Sequence, residues 1–293
     1  MIPICLVTGF LGAGKTTLLK NIVARSRERK IVYLINEFSA KDVDGAIVSD
    51  ENPNVVSIPG GSIFCKCLVT EFISRLKQTS ENWPDADGVV IEASGMADPR
   101  VIETMLRETG LDSAYRLATV VSVVDPNSFL KLRHTLPNIT AQIEASDLVL
   151  VNKIDCNTEE VSAETVDEVR SIKPTLDIVR TVNCEADFDL FAEHSPRGLQ
   201  GEYAKCRDPN YAAFASEADF DPERLEAFVL ANAERIYRVK GRLSGEFFDY
   251  SSSGVKRIGM DSAAEEGLAW VVRGGEEEYI RSELKGLEEE SKR

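Results

Sequence analysis

The chain has 293 residues, a formal net charge of −15 and 43% hydrophobic residues, which is typical of a globular protein with one large and one smaller domain. Its excess of carboxylates disfavours binding to nucleic acid or to an anionic membrane surface. The sequence contains no run of ~18 apolar residues that would predict a membrane-spanning helix. Its first residues lack the basic segment of a signal peptide. We therefore expect a cytoplasmic protein, whose six cysteines do not form a disulfide framework.

Apolar runs alternate with amphipathic segments over residues 1–185, which predicts an α/β domain with a mostly parallel sheet and helices on both faces. The predicted strands are residues 2–8, 31–35, 88–93, 117–125, 147–152 and 177–181. The predicted helices are residues 16–28, 67–78, 101–109, 138–146 and 159–172. Residues 36–66 are punctuated by proline and glycine and are predicted to be mostly loop.

The last third of the chain has a different pattern. Residues 186–212 are polar and have no clear period, so we interpret them as a linker. A predicted helix over residues 222–233, four short strand-like runs between residues 235 and 274, and a charged C-terminal helix follow. This order predicts a small α+β domain with an antiparallel sheet over residues 213–293.

A glycine-rich loop follows the first predicted strand, and Gly9, Gly14, Lys15 and Thr16 match the pattern G-x-x-x-x-G-K-[ST]. Glycines let the main chain turn tightly and point its amides at phosphate oxygens, and a helix that starts at Lys15 adds its positive end. Lys15 can reach the β- and γ-phosphates, and the Thr16 hydroxyl can bind Mg²⁺. The predicted phosphate-binding residues are Gly12, Ala13, Gly14, Lys15, Thr16 and Thr17.

The end of the fifth predicted strand reads N-K-I-D, with Asn152, Lys153 and Asp155 as the pattern residues. The Asp155 carboxylate can accept hydrogen bonds from the ring N–H and the exocyclic amine of guanine, a donor pair that adenine lacks. Asn152 can bond the base and the phosphate loop, and the Lys153 stem can lie along the ring. The two motifs together predict binding of GTP and its hydrolysis to GDP.

A third loop follows the strand over residues 88–93, where Glu92 and Gly95 form an E-x-x-G pattern. It resembles the second metal- and phosphate-binding element of P-loop GTPases. The Gly95 amide can approach the γ-phosphate, and Glu92 can hold Mg²⁺ directly or through water. We assign the catalytic roles to Lys15, Thr16 and Glu92.

These motifs together identify a family. With GFLGAGKTTLL, INEF, IEASGMADP, VVSVVDP, NKID and a late YRVKG, the chain resembles the CobW-type GTPases, which are relatives of the nickel-insertion GTPases of hydrogenase and urease maturation. The resemblance covers nearly the whole chain. It implies a P-loop NTPase fold with a small C-terminal domain, slow GTP hydrolysis, and delivery of a metal, often zinc or cobalt, to a client protein.

The cysteine loop departs from the family pattern. The family carries G-C-I-C-C, whereas residues 61–67 read GSIFCKC, so only Cys65 keeps a family position and Cys67 is new. The two thiolates with a Glu37 carboxylate would give three ligands, a number that suits transient loading better than permanent storage. Thiolates favour zinc, copper(I) or an iron–sulfur species over Mg²⁺, and the resemblance implies zinc or cobalt. The alternative is that both thiols are unligated and that the loop contacts a partner protein.

Residues 36–67 lie between the phosphate loop and Glu92 and are the expected switch, ordered by the γ-phosphate and Mg²⁺ and released by hydrolysis. The first hypothesis is a slow GTPase that couples GTP binding to metal delivery to a client metalloenzyme. The second is a GTP-dependent switch that gates assembly or activation of a cofactor-dependent, for example corrinoid, enzyme without binding a transition metal. A small-molecule kinase is a third hypothesis, which NKID disfavours. Since no arginine finger or water-positioning glutamine is identifiable, a partner or homodimerisation would complete the catalytic site.

Overall fold

The computed structural model describes residues 1–37, 54–59, 62–66, 68–194, 197–204, 208–216, 220–259 and 266–291. For Glu37, Pro59 and residues 288–291 it describes the main chain alone. The chain divides into two compact units, Met1–Cys206 and Arg207–Arg293. Within these described ranges, no helix is both long enough and apolar enough to pass through a lipid bilayer.

The first unit contains a parallel sheet. Its described strands are β1 (Ile2–Thr8), β2 (Ile31–Glu37), β3 (Val55–Pro59), β4 (Gly88–Glu92), β5 (Tyr115–Val124), β6 (Leu148–Val151) and β7 (Asp177–Arg180). They lie in the order β3-β2-β4-β1-β5-β6-β7, and every neighbouring pair is parallel. The described helices are α1 (Lys15–Arg25), α2 (Val69–Asn82), α3 (Ile102–Glu108), α4 (Pro126–Leu132), α5 (Pro137–Ala145) and α6 (Glu159–Ile172).

Helices cover both faces of this sheet, as the sequence predicts. Along β1, Ile4 and Leu6 belong to one buried cluster, which also contains Phe72 of α2. Cys5 and Val7 belong to the cluster on the other face, together with Leu19 of α1. Because successive side chains of a strand point to opposite faces, these two clusters are the two layers of a doubly covered sheet.

Two elements of the first unit were not predicted. Strand β3 lies in the segment predicted as loop, where prolines bracket a run of only five residues; it forms an edge of the sheet, which is where a proline is tolerated in a strand. Helix α4 begins at Pro126 and is capped by Asp125, whose Oδ1 accepts from the Asn127 amide at 3.1 Å. An Asp-Pro pair is a start signal for a helix, so the sequence did contain the evidence for α4.

The segment that we interpreted as a linker is divided between the two units. The first unit extends to Cys206, whereas Tyr211–Ser216 forms a strand of the second. Phe191 and Leu199 are buried in the two clusters of the first unit. Most residues of this segment are polar, and the few apolar residues that anchor it are irregularly spaced. For these two reasons the sequence suggested a linker.

Arg197 fixes this segment to the sheet. Its side chain is 5% exposed and bonds both Asp147 carboxylate oxygens through Nε, at 2.9 and 3.0 Å. Without Arg197 the Asp147 carboxylate, which is 8% exposed, would lose its cationic partner and keep the bond from the Val120 amide. We therefore expect Arg197→Ala to lower the free energy of unfolding by about 3–5 kcal/mol. Exposed Arg27→Ala should change it by less than about 0.5 kcal/mol. Urea unfolding followed by circular dichroism measures both, and equal midpoints for the two variants would contradict the assignment.

The second unit is an antiparallel sheet with helices, as predicted for an α+β domain. Its described elements are β8 (Tyr211–Ser216), α7 (Pro222–Ala231), β9 (Ile236–Leu243), β10 (Glu246–Ser251), β11 (Gly254–Gly259), β12 (Gly267–Arg273) and α8 (Glu277–Ser291). The strand order is β11-β10-β9-β12-β8. Strand β8 was not predicted, because it consists mostly of alanine and serine; its Phe214 stacks on the buried Trp270, with ring centroids 5.7 Å apart.

Candidate functional site

The loop between β1 and α1 has a main-chain shape that requires glycine. The φ angles of Gly9, Gly12 and Gly14 are 133°, 77° and 122°, values that other residues rarely adopt. Lys15 begins α1 and is 8% exposed, and its Nζ donates to the carbonyls of Gly9 at 2.9 Å and Phe10 at 3.3 Å. The loop therefore has the main-chain shape that a phosphate cradle requires, and Lys15 is held against its main chain.

Two oxygen donors meet beside this loop. Thr16, in the first turn of α1, lies 3.5 Å from the carboxylate of Glu92, measured from Oγ1 to Oε1. Glu92 ends β4, is 4% exposed and is paired in register with Val7 of β1. A hydroxyl and a carboxylate are the kind of ligands that Mg²⁺ accepts alongside phosphate oxygens, so these two residues fit the predicted metal role.

Gly95 lies directly against the phosphate loop. A Cβ built on Gly95 would be 2.6 Å from the Leu11 amide nitrogen and 2.7 Å from the Leu11 side chain. No side chain fits there, so the main chains of the two loops approach closely. The E-x-x-G loop is therefore placed where a change in the phosphate loop would displace it. Thr17 is exposed on the first turn of α1.

The loop that carries the N-K-I-D motif is tied to the glycine-rich loop through Asn152. Its Nδ2 donates to the Ala13 carbonyl at 2.9 Å. Its Oδ1 accepts from the Cys184 amide at 2.8 Å and from the Thr181 hydroxyl at 3.2 Å. Asn152 is 2% exposed, so the predicted contact between this motif and the phosphate loop exists in the protein.

The other two residues of the motif have different environments. Lys153 has a left-handed main chain, with φ of 61°, and its Nζ donates to Asp125 Oδ2 at 3.0 Å. Asp155 is exposed, and the Cys156 thiol lies 3.7 Å from its Oδ2. The fixed main chain at Lys153 thus presents the Asp155 carboxylate to solvent, where an incoming base can reach it.

The loop after β7 belongs to this site and was not predicted. Asn183 and Cys184 both have positive φ, 51° and 56°, and the Cys184 thiol donates to the Gly14 carbonyl at 3.3 Å. Burial raises the pKa of Cys184 to about 12, so the thiol keeps the proton that it donates. The only signal in the sequence was the position of this loop after the last predicted strand.

The cysteine loop is described over Ser62–Lys66. Cys65 is 8% exposed, its amide donates to the Ser62 carbonyl at 3.0 Å, and its main chain pairs with Ala204. Cys67 and the Glu37 side chain lie outside the described residues. Among the residues that are described, no three His, Cys, Asp or Glu side chains are grouped to hold a metal ion, so the three-ligand site stays a prediction.

The loops after β1, β4 and β6 thus define a P-loop protein with its nucleotide site at the carboxyl edge of a parallel sheet. The family model described as "CobW/HypB/UreG, nucleotide-binding domain" matches residues 3–180, more than half of the chain. The chain belongs to this family of P-loop GTPases.

Several characterised proteins are similar to it. The chain is 26% identical over 281 residues to the zinc chaperone YjiA of Escherichia coli (strain K12), which covers 88% of this chain and 87% of YjiA. It is 27% identical over 222 residues to the zinc-regulated GTPase metalloprotein activator 1 of Saccharomyces cerevisiae, which covers 68% of this chain and 50% of that protein. The crystal structure of Zn(II)-bound YjiA GTPase from E. coli is 21% identical and covers 98% of both chains with a TM-score of 0.48.

Proposed function

We propose that this protein is a slow GTPase whose nucleotide state is coupled to the binding of zinc and to its delivery to a client protein. One observation supports the nucleotide part above all: the meeting of three strand-end loops. Asn152 bonds the phosphate loop at Ala13, and the Glu92 loop approaches it at Thr16 and at Leu11. A ligand with a guanine at one end and a triphosphate at the other fits such a site.

Each residue of the site has a role in binding or positioning. The amides of residues 12–17 hold the phosphates, and Lys15 exchanges the Gly9 and Phe10 carbonyls for phosphate oxygens. Thr16 and Glu92 would hold Mg²⁺, which neutralises the charge on the phosphates when it is bound. Catalysis then consists of positioning and charge neutralisation, and we expect turnover to be slow until a partner protein or a second copy of the chain completes the site.

The metal part of the proposal rests on the cysteine loop and on the relatives. Zinc is the metal in the names of YjiA and of the yeast activator. We propose Cys65, Cys67 and Glu37 as its ligands, since thiolates suit zinc and three ligands leave a position through which the ion can be handed over. The client metalloenzyme, a homodimer and action in the cytoplasm are further parts of this proposal.

A cobalt(II) titration of the full chain tests the metal part. We expect a thiolate–metal charge-transfer band that strengthens when GDP·Mg²⁺ is replaced by a non-hydrolysable GTP analogue with Mg²⁺. Cys65→Ser should weaken cobalt and zinc binding by about 10-fold or more, because loss of a ligand costs at least as much as loss of a supporting contact. Exposed Cys156→Ser is the control for adventitious thiol binding and should leave the band unchanged.

The same samples separate the remaining hypotheses. Phosphate release from GTP, with ATP as the comparison, tests the nucleotide part independently of the metal. A flat spectrum beside preserved GTP hydrolysis would refute metal handling and favour the hypothesis of a switch that gates a partner enzyme. Equal hydrolysis of GTP and ATP would refute the assignment of Asp155 as the base reader.

A further inference from the structure

Asn36 connects the cysteine loop to the nucleotide loops. It is the penultimate residue of β2, which lies between β3 and β4 in the sheet, and it is 5% exposed. Its Oδ1 accepts two hydrogen bonds, from the Ile63 amide at 3.0 Å and from the Ser94 amide at 3.2 Å. Its Nδ2 donates to the Ile58 carbonyl, the last residue but one of β3, at 3.1 Å. One side chain therefore joins three separate segments.

The first donor belongs to the loop that carries the candidate metal ligand. Ile63 is buried and precedes Cys65 by two residues in a turn that is closed by the bond from the Cys65 amide to the Ser62 carbonyl. Displacement of the Ile63 amide would move this turn, and the Cys65 side chain is mostly buried within it. The position of Asn36 Oδ1 therefore helps to set the exposure of the Cys65 thiol.

The second donor belongs to the loop that approaches the phosphates. Ser94 lies between Glu92 and Gly95 in the sequence. The Glu92 carboxylate is 3.5 Å from the Thr16 hydroxyl, and Gly95 lies so close to the Leu11 amide that a Cβ on it would be 2.6 Å from that nitrogen. Movement of Gly95 in response to a γ-phosphate must either stretch the bond from the Ser94 amide or pull the Asn36 side chain with it. Because both donors share one acceptor atom, the second outcome shifts the bond to Ile63 as well.

We infer that Asn36 is a positioning residue that transmits the nucleotide state from the Glu92–Gly95 loop to the cysteine loop. The inference rests on the proposed binding of guanine nucleotide, but it needs no metal. It assigns the coupling to a specific contact, the pair of hydrogen bonds that Asn36 Oδ1 accepts.

The test measures the alkylation rate of Cys65 by iodoacetamide in the full chain, at saturating GDP·Mg²⁺ and at saturating non-hydrolysable GTP analogue with Mg²⁺. Tryptic cleavage after Lys66 places Cys65 and Cys67 in different peptides, so mass spectrometry follows Cys65 alone. We expect the wild-type rates in the two states to differ by at least about fivefold, the lower end of typical coupling between sites. In Asn36→Ala the ratio should fall towards one.

Two further variants control for the local effect of the substitution. Asn36→Asp keeps the acceptor oxygen and loses the donor to Ile58, so it should preserve much of the wild-type ratio. Ser62→Ala removes the bond from the Phe64 amide to the Ser62 hydroxyl, which perturbs the same loop without breaking the link, and should also keep the ratio. If Asn36→Ala does not fold, amide exchange on the wild type replaces it: protection at Ile63 and Ser94 must change together when the nucleotide is exchanged.

The outcomes distinguish this inference from the proposed function. If Asn36→Ala keeps the same ratio of Cys65 alkylation rates as the wild type, the inference is overturned. The same holds if amide exchange changes at Ile63 or at Ser94 alone. A wild-type ratio of one despite measured GTP binding also overturns it, while the nucleotide site itself stands. Failure of the wild type to bind guanine nucleotide, measured on the same samples, would instead refute the proposed function.

Discussion

Replacing Asp155 with asparagine is expected to convert a site for guanine nucleotides into one for xanthine nucleotides. Guanine offers two donors to the carboxylate, the ring N–H and the exocyclic amine. Xanthine has a carbonyl in place of that amine, so an asparagine can donate to the carbonyl while its own oxygen still accepts from the ring N–H. We expect GTP affinity to fall by about 100-fold, since a donor is left facing a donor, and XTP affinity to rise.

The environment of Asp155 makes this substitution interpretable. The carboxylate is exposed, and the preceding Lys153 is fixed by its bond to Asp125 at 3.0 Å. An isosteric change should therefore leave the fold unaltered. Competition titrations against a fluorescent GDP measure both affinities, with exposed Asp167→Asn on α6 as the control. Unchanged GTP affinity would place the base reader elsewhere, and equal weakening of GTP and XTP would indicate a general loss of structure.

Much of the first unit could be predicted because its strands are buried on both faces. A continuous apolar run such as Ile4–Val7 serves two cores at once, and this is a strong signal in a sequence. Strand β3 gave no such signal, since it has five residues and lies at an edge. Strand β8 was missed for a related reason. Its side chains are mostly small, and Phe214 is its one buried hydrophobic residue, so the strand has no apolar run.

The residues proposed to bind the nucleotide were also easier to identify in the sequence than the residues that support them. Gly14, Lys15, Asn152 and Asp155 belong to short motifs whose spacing the chemistry of a nucleotide constrains. Their supports are contacts between distant parts of the chain. The Cys184 thiol bonds the Gly14 carbonyl across 170 positions of sequence, and no spacing rule records such a pair.

Substituting alanine for Gly14 is expected to weaken nucleotide binding strongly by breaking the contact between the phosphate loop and the proposed base-reading loop. A Cβ at this position would lie 2.5 Å from Asn152 Nδ2 and 3.0 Å from the Cys184 sulfur. The φ of 122° adds strain of about 1–3 kcal/mol. Asn152 must then move, and the bond to Ala13 is lost. We expect affinity for GDP and GTP to fall by at least about 100-fold, because binding would have to restore the contact.

Gly254→Ala separates the strain from the collision. Gly254 also has a left-handed main chain, with φ of 100°, but a Cβ there would meet nothing within 4 Å. It should lower the thermal stability of the protein and leave nucleotide affinity unchanged. Titration of both variants with a fluorescent GDP, beside a thermal unfolding curve, makes the comparison. If Gly14→Ala bound GDP as well as Gly254→Ala does, the Asn152–Ala13 bond would be dispensable, and the two loops would have to recognise base and phosphate independently of each other.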